Sequence, residues 1–351
     1  MIILKQTSQL LCSFSVPARF LQSSLPVTKH FFSTVPDKFI CSELQSVRSL
    51  IKLDGDDCMQ FLQGLVTNDV YDLDNNYCIY GMILNNKGRI AHDILLYKST
   101  KHTATDNAVL LECDSRSVDS LIRLLKMYKL RKKVDIEKLQ GINIFQLMGN
   151  TEYNEAMHTI NLEQLYSLCS AAHGQNTSIF KDPRLSLLGF RCLSSSAKPF
   201  STTSVDFVSI RDYHKRRFEF GIPEGIEDLK PGKCLPLESN IDFMNGVSFS
   251  KGCYIGQELT ARTYHTGVIR KRLVSCFHNS IEFQEDEKLY IISNNKRKRV
   301  GKLLSIFENK CLAIIQIQYM SDNLFTESGS TVSLTKPNWW PCGGDNPHTF
   351  S

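Results

Sequence analysis

Cys253 is the residue in this chain best placed to do chemistry, within Lys251-Gly252-Cys253-Tyr254-Ile255-Gly256-Gln257-Glu258-Leu259. A cysteine thiolate is both a nucleophile and a soft metal ligand. Flanking glycines let a backbone turn tightly or let another molecule come close. Gln257 to Arg262 are good helix formers with no breaker, so the sequence predicts a helix after Gly256 with Cys253 near its N-terminus. The helix dipole and the charge of Lys251, two residues away, would then favour the thiolate. The alternative is a packed, inert cysteine, because free cysteine is among the most buried residue types.

Several elements must hold this segment. Phe39 to Ile51 suits a first strand and turn, and Asp54-Gly55-Asp56-Asp57 opens a helix with Cys58, Phe61, Leu62 and Leu65 at helical spacing, ended by Gly64 to Asp69. Ile79 to Leu84 and Arg89 to Tyr97 read as a hairpin around Asn85-Asn86-Lys87-Gly88, and Ala108 to Cys113 as a further strand. A helix from Asp119 turns Leu121, Leu124, Leu125 and Tyr128 to one face. Its basic end, Lys126, Lys129, Arg131, Lys132 and Lys133, reads as a solvated terminus that complements the dipole. Leu162 to Ala172 and Val205 to Phe220 are expected to be helical. Gly221 to Gly225 stops the second of these, and Lys215-Arg216-Arg217 lies on a solvated face. From Gly267 onward, short strands alternate with Asn-, Lys- and Gly-containing turns, which predicts a small barrel or sandwich. Lys296 to Arg299 is expected at an exposed hairpin tip, and Trp339-Trp340 in a tail that packs back on the barrel.

A chain of 351 residues is long enough for two or three domains. Residues 1–36 contain Lys5, Arg19 and Lys29, no acid, and much Ser, Phe and Leu, which fits a mitochondrial transit peptide. The net charge is +5, and without that segment 38 basic residues face 36 acidic ones. Such a balance argues against a nucleic-acid partner. No apolar run is long enough to span a membrane, and no membrane partner is expected. The twelve cysteines are scattered without a CxxC pair, so reduced thiols are the simpler account, and no Cys/His spacing suits a closed zinc site.

The run from Lys251 to Glu258 resembles the signature of the YgfZ family, relatives of the aminomethyltransferase of the glycine cleavage system. The likeness extends upstream through Leu235-Pro236-Leu237-Glu238, Asp242-Phe243 and Asn245-Gly246-Val247-Ser248-Phe249, and downstream through Thr260-Ala261-Arg262-Thr263 and Gly267 to Leu273. Asp182-Pro183-Arg184-Leu185 and Leu188 to Arg191 resemble a further segment. The resemblance implies an α+β fold of two interleaved modules over 37–264 and a C-terminal β-barrel domain over 265–351, around a central channel able to hold tetrahydrofolate. It makes Asn68, Asp93, Glu238 and Arg262 folate-pocket candidates, with Asn68, Asp93 and Glu238 expected to face one cavity.

Cysteine-bearing members with a mitochondrial address resemble iron–sulfur assembly factors of the matrix that work with ISCA-type scaffold proteins. One thiolate cannot hold a cluster, which generally takes four protein ligands, but it can supply one ligand of a 2Fe–2S cluster shared between two proteins. Cys253 is therefore the expected cluster ligand in a chain that is monomeric alone. Two alternatives stand beside this reading: a folate-dependent aminomethyltransferase and a folate-binding scaffold. Against the transferase, the strand that carries paired acids in true transferases reads His92-Asp93 here and keeps one carboxylate.

Overall fold

The computed structural model describes residues 39–99, 108–149, 165, 168–169, 177–203, 205–278, 284–293, 295–320 and 323–341. The transit peptide expected over 1–36, and almost all of the helix expected over 162–172, lie outside the described residues.

Two five-stranded sheets share the first two thirds of the chain. Strand β1 (Phe39–Glu43) belongs to the first sheet. The chain then leaves for the second sheet, building β2 (Arg48–Asp54), β3 (Cys78–Leu84), β4 (Ile90–Lys98), β5 (Val109–Asp114) and β6 (Asp135–Leu139) in the order β3-β4-β5-β2-β6. It returns as β7 (Asn143–Gly149), β8 (Thr177–Lys181), β9 (Phe190–Ser194) and β10 (Val205–Val208), which complete the first sheet as β10-β1-β7-β9-β8. The modules are thus interleaved, as the family resemblance implied. Phe39 to Ile51 is accordingly two strands in different sheets rather than one strand and a turn.

Helix α1 (Cys58–Gln63) buries Cys58, Phe61 and Leu62, and α2 (Leu73–Asn76) follows it closely. Helix α3 (Val118–Lys129) buries Val118, Leu121 and Leu125 against the second sheet. The segment expected to be one helix from Val205 is split. Val205–Val208 pairs parallel with β1, and only Ile210–Phe220 forms a helix, α4, capped by Gly221 at φ 68°. The β-branched Val205 and Val208 with Phe207 favour the strand, and an extended Ser209 starts the helix. A short α5 (Gly225–Asp228) and α6 (Gln257–Thr266) complete the helices named here.

The inner faces of both sheets meet in one cluster that includes Leu50, Tyr80, Met82, Leu95, Ile144, Leu193 and Tyr213. Each such fully buried aliphatic side chain contributes about 1.5–3 kcal/mol of transfer free energy. Strands β11 (Lys271–His278), β12 (Lys288–Ser293), β13 (Lys296–Phe307), β14 (Lys310–Gln316), β15 (Leu324–Phe325) and β16 (Thr331–Thr335) close into a barrel, with β16 pairing back on β11. Lys296 to Arg299 open β13 directly after its turn from β12, paired with Ser293 to Tyr290 and exposed, so the basic run lies at the hairpin end as expected. Trp340 packs in the barrel cluster against Phe243, with ring centroids 5.6 Å apart, so the tail folds back as expected.

Candidate functional site

The Cys253 loop is held by an earlier part of the chain. Two loops, 64–69 after α1 and 245–256 before α6, are laced by hydrogen bonds across about 180 residues of sequence. Thr67 Oγ1 donates to the Gly246 carbonyl at 2.7 Å, and Asn68 Nδ2 donates to the carbonyls of Tyr80 and Asn245, both at 2.8 Å. The Ser248 amide donates to the Thr67 carbonyl and the Ile255 amide to the Gly64 carbonyl, both at 3.1 Å. Lys251 Nζ donates to the carbonyls of Val66 at 2.8 Å and Asn68 at 2.6 Å.

Each part of the motif therefore has a definite task. Lys251 is 8 % exposed, and burial pushes its ammonium down to about 8. Its charge is spent on two carbonyls inside the molecule, which corrects the expectation that it sits beside the thiol to favour the thiolate. Gly256 is the residue before α6 and has φ 78°; a Cβ there would lie 2.4 Å from the Asn85 carbonyl oxygen and 2.8 Å from Leu84 Cβ. The β3–β4 turn thus fits against the motif only where the side chain is missing. Gly252 is different: nothing lies within 4 Å of a Cβ built on it. Gln257 Oε1 accepts from the Tyr254 amide at 3.4 Å, Tyr254 is buried beneath the Lys251 ammonium, and Glu258 is exposed. Phe249 stacks on Tyr264 of α6 at 3.5 Å between ring centroids, tying the loop to the helix that follows.

Cys253 itself is exposed. Of the ten described cysteines, eight are buried and Cys169 is half-buried, so the packed, inert alternative fits the others and not this one. Desolvation pushes the thiols of Cys41, Cys78, Cys113, Cys192, Cys234 and Cys276 up, and that of Cys58 up to about 12, which keeps these seven protonated and unreactive. Among the described residues no three His, Cys, Asp or Glu side chains group as a metal site.

A cavity of about 750 Å³ opens beside the laced loops, lined among others by Asn68, Tyr80, Lys181, Arg184, Asn245 and Phe249. The expectation that Asn68, Asp93 and Glu238 face one cavity is not met. Asn68 alone of the three lines it. Asp93 points between the sheets, where Oδ2 accepts from Arg48 Nη1 at 3.2 Å and Oδ1 accepts from the Gly225 amide at 3.0 Å. Burial raises its carboxyl against the pull of Arg48. Its neighbour His92 is pushed down to about 4 by burial. Glu238 lines a separate cavity of about 280 Å³ between 235–238, α6 and 268–271, and desolvation raises its carboxyl too. Arg262 is exposed on α6 and lines neither cavity. The reason is register. Asp93 pairs with Met82 and shares its inward face, whereas Glu238 sits where the chain turns to meet β11.

Tetrahydrofolate suits the larger cavity in volume, since ligand pockets typically span about 300–1,000 Å³. Lys181 offers a cation at its rim. The carboxylates Asp182 and Asp242, however, are already committed to Arg184 and Arg272.

The sequence reading missed a buried ionic network between the sheets. Glu224 Oε2 accepts from Arg184 at 2.6 Å, Arg191 at 2.7 Å and Tyr213 at 2.6 Å. Glu112 accepts from Arg48 and from Tyr97, and Arg217, expected on a solvated face, is buried against Asp228 at 2.7 Å. An arginine inside an otherwise apolar strand, as in Phe190-Arg191-Cys192-Leu193, is the signal that points to such a network.

Comparison with known proteins decides the family. The GCVT N-terminal domain family matches residues 24–170, and the CAF17 C-terminal beta-barrel domain family matches residues 270–342. The human mitochondrial iron–sulfur cluster assembly factor IBA57 is 34 % identical over 308 residues, covering 84 % of this chain and 83 % of that protein. This chain belongs to the IBA57 family. The mouse IBA57 protein is 40 % identical over 234 residues, 64 % of this chain and 63 % of that protein. The Neurospora crassa homologue is 36 % identical over 233 residues, 65 % of this chain and 52 % of its own length. The alignment thus spans less than two thirds of the mouse and Neurospora relatives. All three are named mitochondrial iron–sulfur cluster assembly factors. The glycine cleavage system aminomethyltransferase T of Bartonella henselae shares the fold, with a TM-score of 0.65 over 87 % of both chains at 13 % identity.

Proposed function

We propose that this chain is a mitochondrial matrix factor for iron–sulfur cluster assembly, and that Cys253 supplies one ligand to a 2Fe–2S cluster shared with an ISCA-type scaffold protein on the way to 4Fe–4S proteins. The observation that carries this reading is the exposure of Cys253 on a loop fixed by Lys251, Thr67, Asn68 and Gly256. The cluster is cargo, so the chain needs an accessible thiolate in a preset position more than a closed metal cage. Open space around Gly252 lets a partner's backbone reach the sulfur. The remaining ligands come from the partner, as a cluster generally takes four.

The test is anaerobic reconstitution with the partner, comparing wild type with Cys253→Ser. Serine is nearly isosteric but a poor soft-metal ligand, so the variant should keep its melting temperature and lose the visible absorbance and iron of the mixed complex after size exclusion. Unchanged absorbance and stoichiometry would refute the assignment.

A folate-class ligand in the larger cavity is a second reading, supported by volume and by Lys181 at the rim. Aminomethyl transfer has less support, because both oxygens of Asp93 are engaged by Arg48 and the Gly225 amide. Fluorescence titration with tetrahydrofolate tests binding, and loss of that binding in Lys181→Ala would locate it.

A further inference from the structure

The solvent face of α3 carries a feature that cluster assembly does not use. Arg123, Lys126 and Met127 are exposed on one side of the helix, and Leu130 and Arg131 follow directly at its end. Met127 is 62 % exposed and Leu130 is 85 % exposed. Leu130 also has φ 50° and ψ −114°, a backbone conformation that favours glycine. An outward leucine where glycine would relax the backbone is costly to keep for stability alone. Around it, Arg123, Lys126, Lys129 and Arg131 have no anionic partner among the described residues. Lys132 is tied to Gln60 and Lys133 lies 3.8 Å from Asp56.

We propose that this face rests on an anionic lipid surface, with Leu130 and Met127 entering the headgroup region and the four cations contacting the headgroups. Apolar side chains standing between lysines and arginines are the arrangement that binds a charged membrane interface. A protein partner fits less well, because lysine is depleted from protein interfaces and these residues project rather than line a groove. A nucleic acid fits less well, because no exposed aromatic side chain lies on the patch for stacking. A surface contact needs no spanning helix, and none of the described helices is long and apolar enough to be one. The proposal departs from the expectation of no membrane partner, and the vesicle experiment decides between them.

Cosedimentation of the full chain with phosphatidylcholine vesicles, with and without phosphatidylserine, tests the proposal. Binding should require the anionic lipid and weaken with salt. Lys126→Gln with Lys129→Gln should lower the partition coefficient about 30-fold, at about fivefold per charge removed. Leu130→Gly should leave the melting temperature unchanged or raised, yet lower binding about tenfold. Residues 1–36 are common to every variant, so the differences report on α3. Equal binding to both vesicle types, or no effect of either substitution, would overturn the proposal. So would charge-dependent binding of this face to polyglutamate or RNA without binding to vesicles.

Discussion

The two glycines flanking Cys253 should respond very differently to one added methyl group. At Gly256 an alanine must hold φ near 78°, which costs about 1–2 kcal/mol for an L-residue. Its Cβ would also stand 2.4 Å from the Asn85 carbonyl oxygen, roughly 1 Å inside normal contact. That neighbour is backbone and cannot rotate away, so the turn and the motif must part at an overpacking cost of about 1–3 kcal/mol. The sum is about 2–5 kcal/mol. At about 2 °C per kcal/mol for a chain of this size, Gly256→Ala should lower the melting temperature by about 4–10 °C. Gly252→Ala meets nothing within 4 Å and should stay within about 1 °C of wild type. Differential scanning fluorimetry of the two variants in one buffer provides the comparison. Equal shifts, or a larger shift for Gly252→Ala, would refute the assignment of tasks to the two glycines.

Two further outcomes follow from the buried charges. Burial would raise the Glu224 carboxyl, but Arg48, Arg191, Arg184 and Arg217 overcome this and hold it well below its usual value of 4.5. Glu224→Gln should therefore cost about 3–5 kcal/mol in urea unfolding at neutral pH. A depressed carboxyl stabilises above its unfolded value, so the gap to wild type should narrow as pH falls below about 4.5. Lys251→Met strips donors from the carbonyls of Val66 and Asn68 and should cost about 2–4 kcal/mol at neutral pH. Because the folded ammonium is pushed down to about 8 while the unfolded one titrates near 10.5, the unfolded chain holds more protons between those values. Wild-type stability relative to Lys251→Met should thus rise with pH across that window, and a falling difference in denaturation midpoints would contradict the burial of this charge.

How much was legible in the sequence depended on how local the signal was. The hairpin around Asn85 to Gly88, the helix after Gly256 and the barrel strands each announced themselves through turn residues and alternation within a few positions. Interleaving did not, because the parallel pairing of Val205–Val208 with β1 joins segments more than 160 residues apart. Lys251 illustrates the limit at the site. Its type and spacing beside Cys253 were visible, but whether its ammonium pointed to the sulfur or to the carbonyls of loop 64–69 depended on tertiary contacts. Asp93 and Glu238 were found as carboxylates and misplaced as neighbours, since register and the turn toward β11 set where each side chain points. Arg217 was read as surface and is buried against Asp228, because composition carries no information about which charges meet.

The lacing of loop 64–69 to loop 245–256 also fixes when the cysteine becomes presentable. A chain emerging N-terminus first makes its receiving carbonyls early, yet Lys251, Asn245 and Gly246 arrive only after about 180 further residues. The β3–β4 turn likewise waits for Gly256. Such distant closures form late, after the entropy of the intervening loop has been overcome. An incompletely delivered chain therefore lacks the contacts that order the Cys253 loop. An ordered Cys253 loop is in that sense a certificate of completeness: it exists only in a molecule whose loops 64–69 and 245–256 have already found each other.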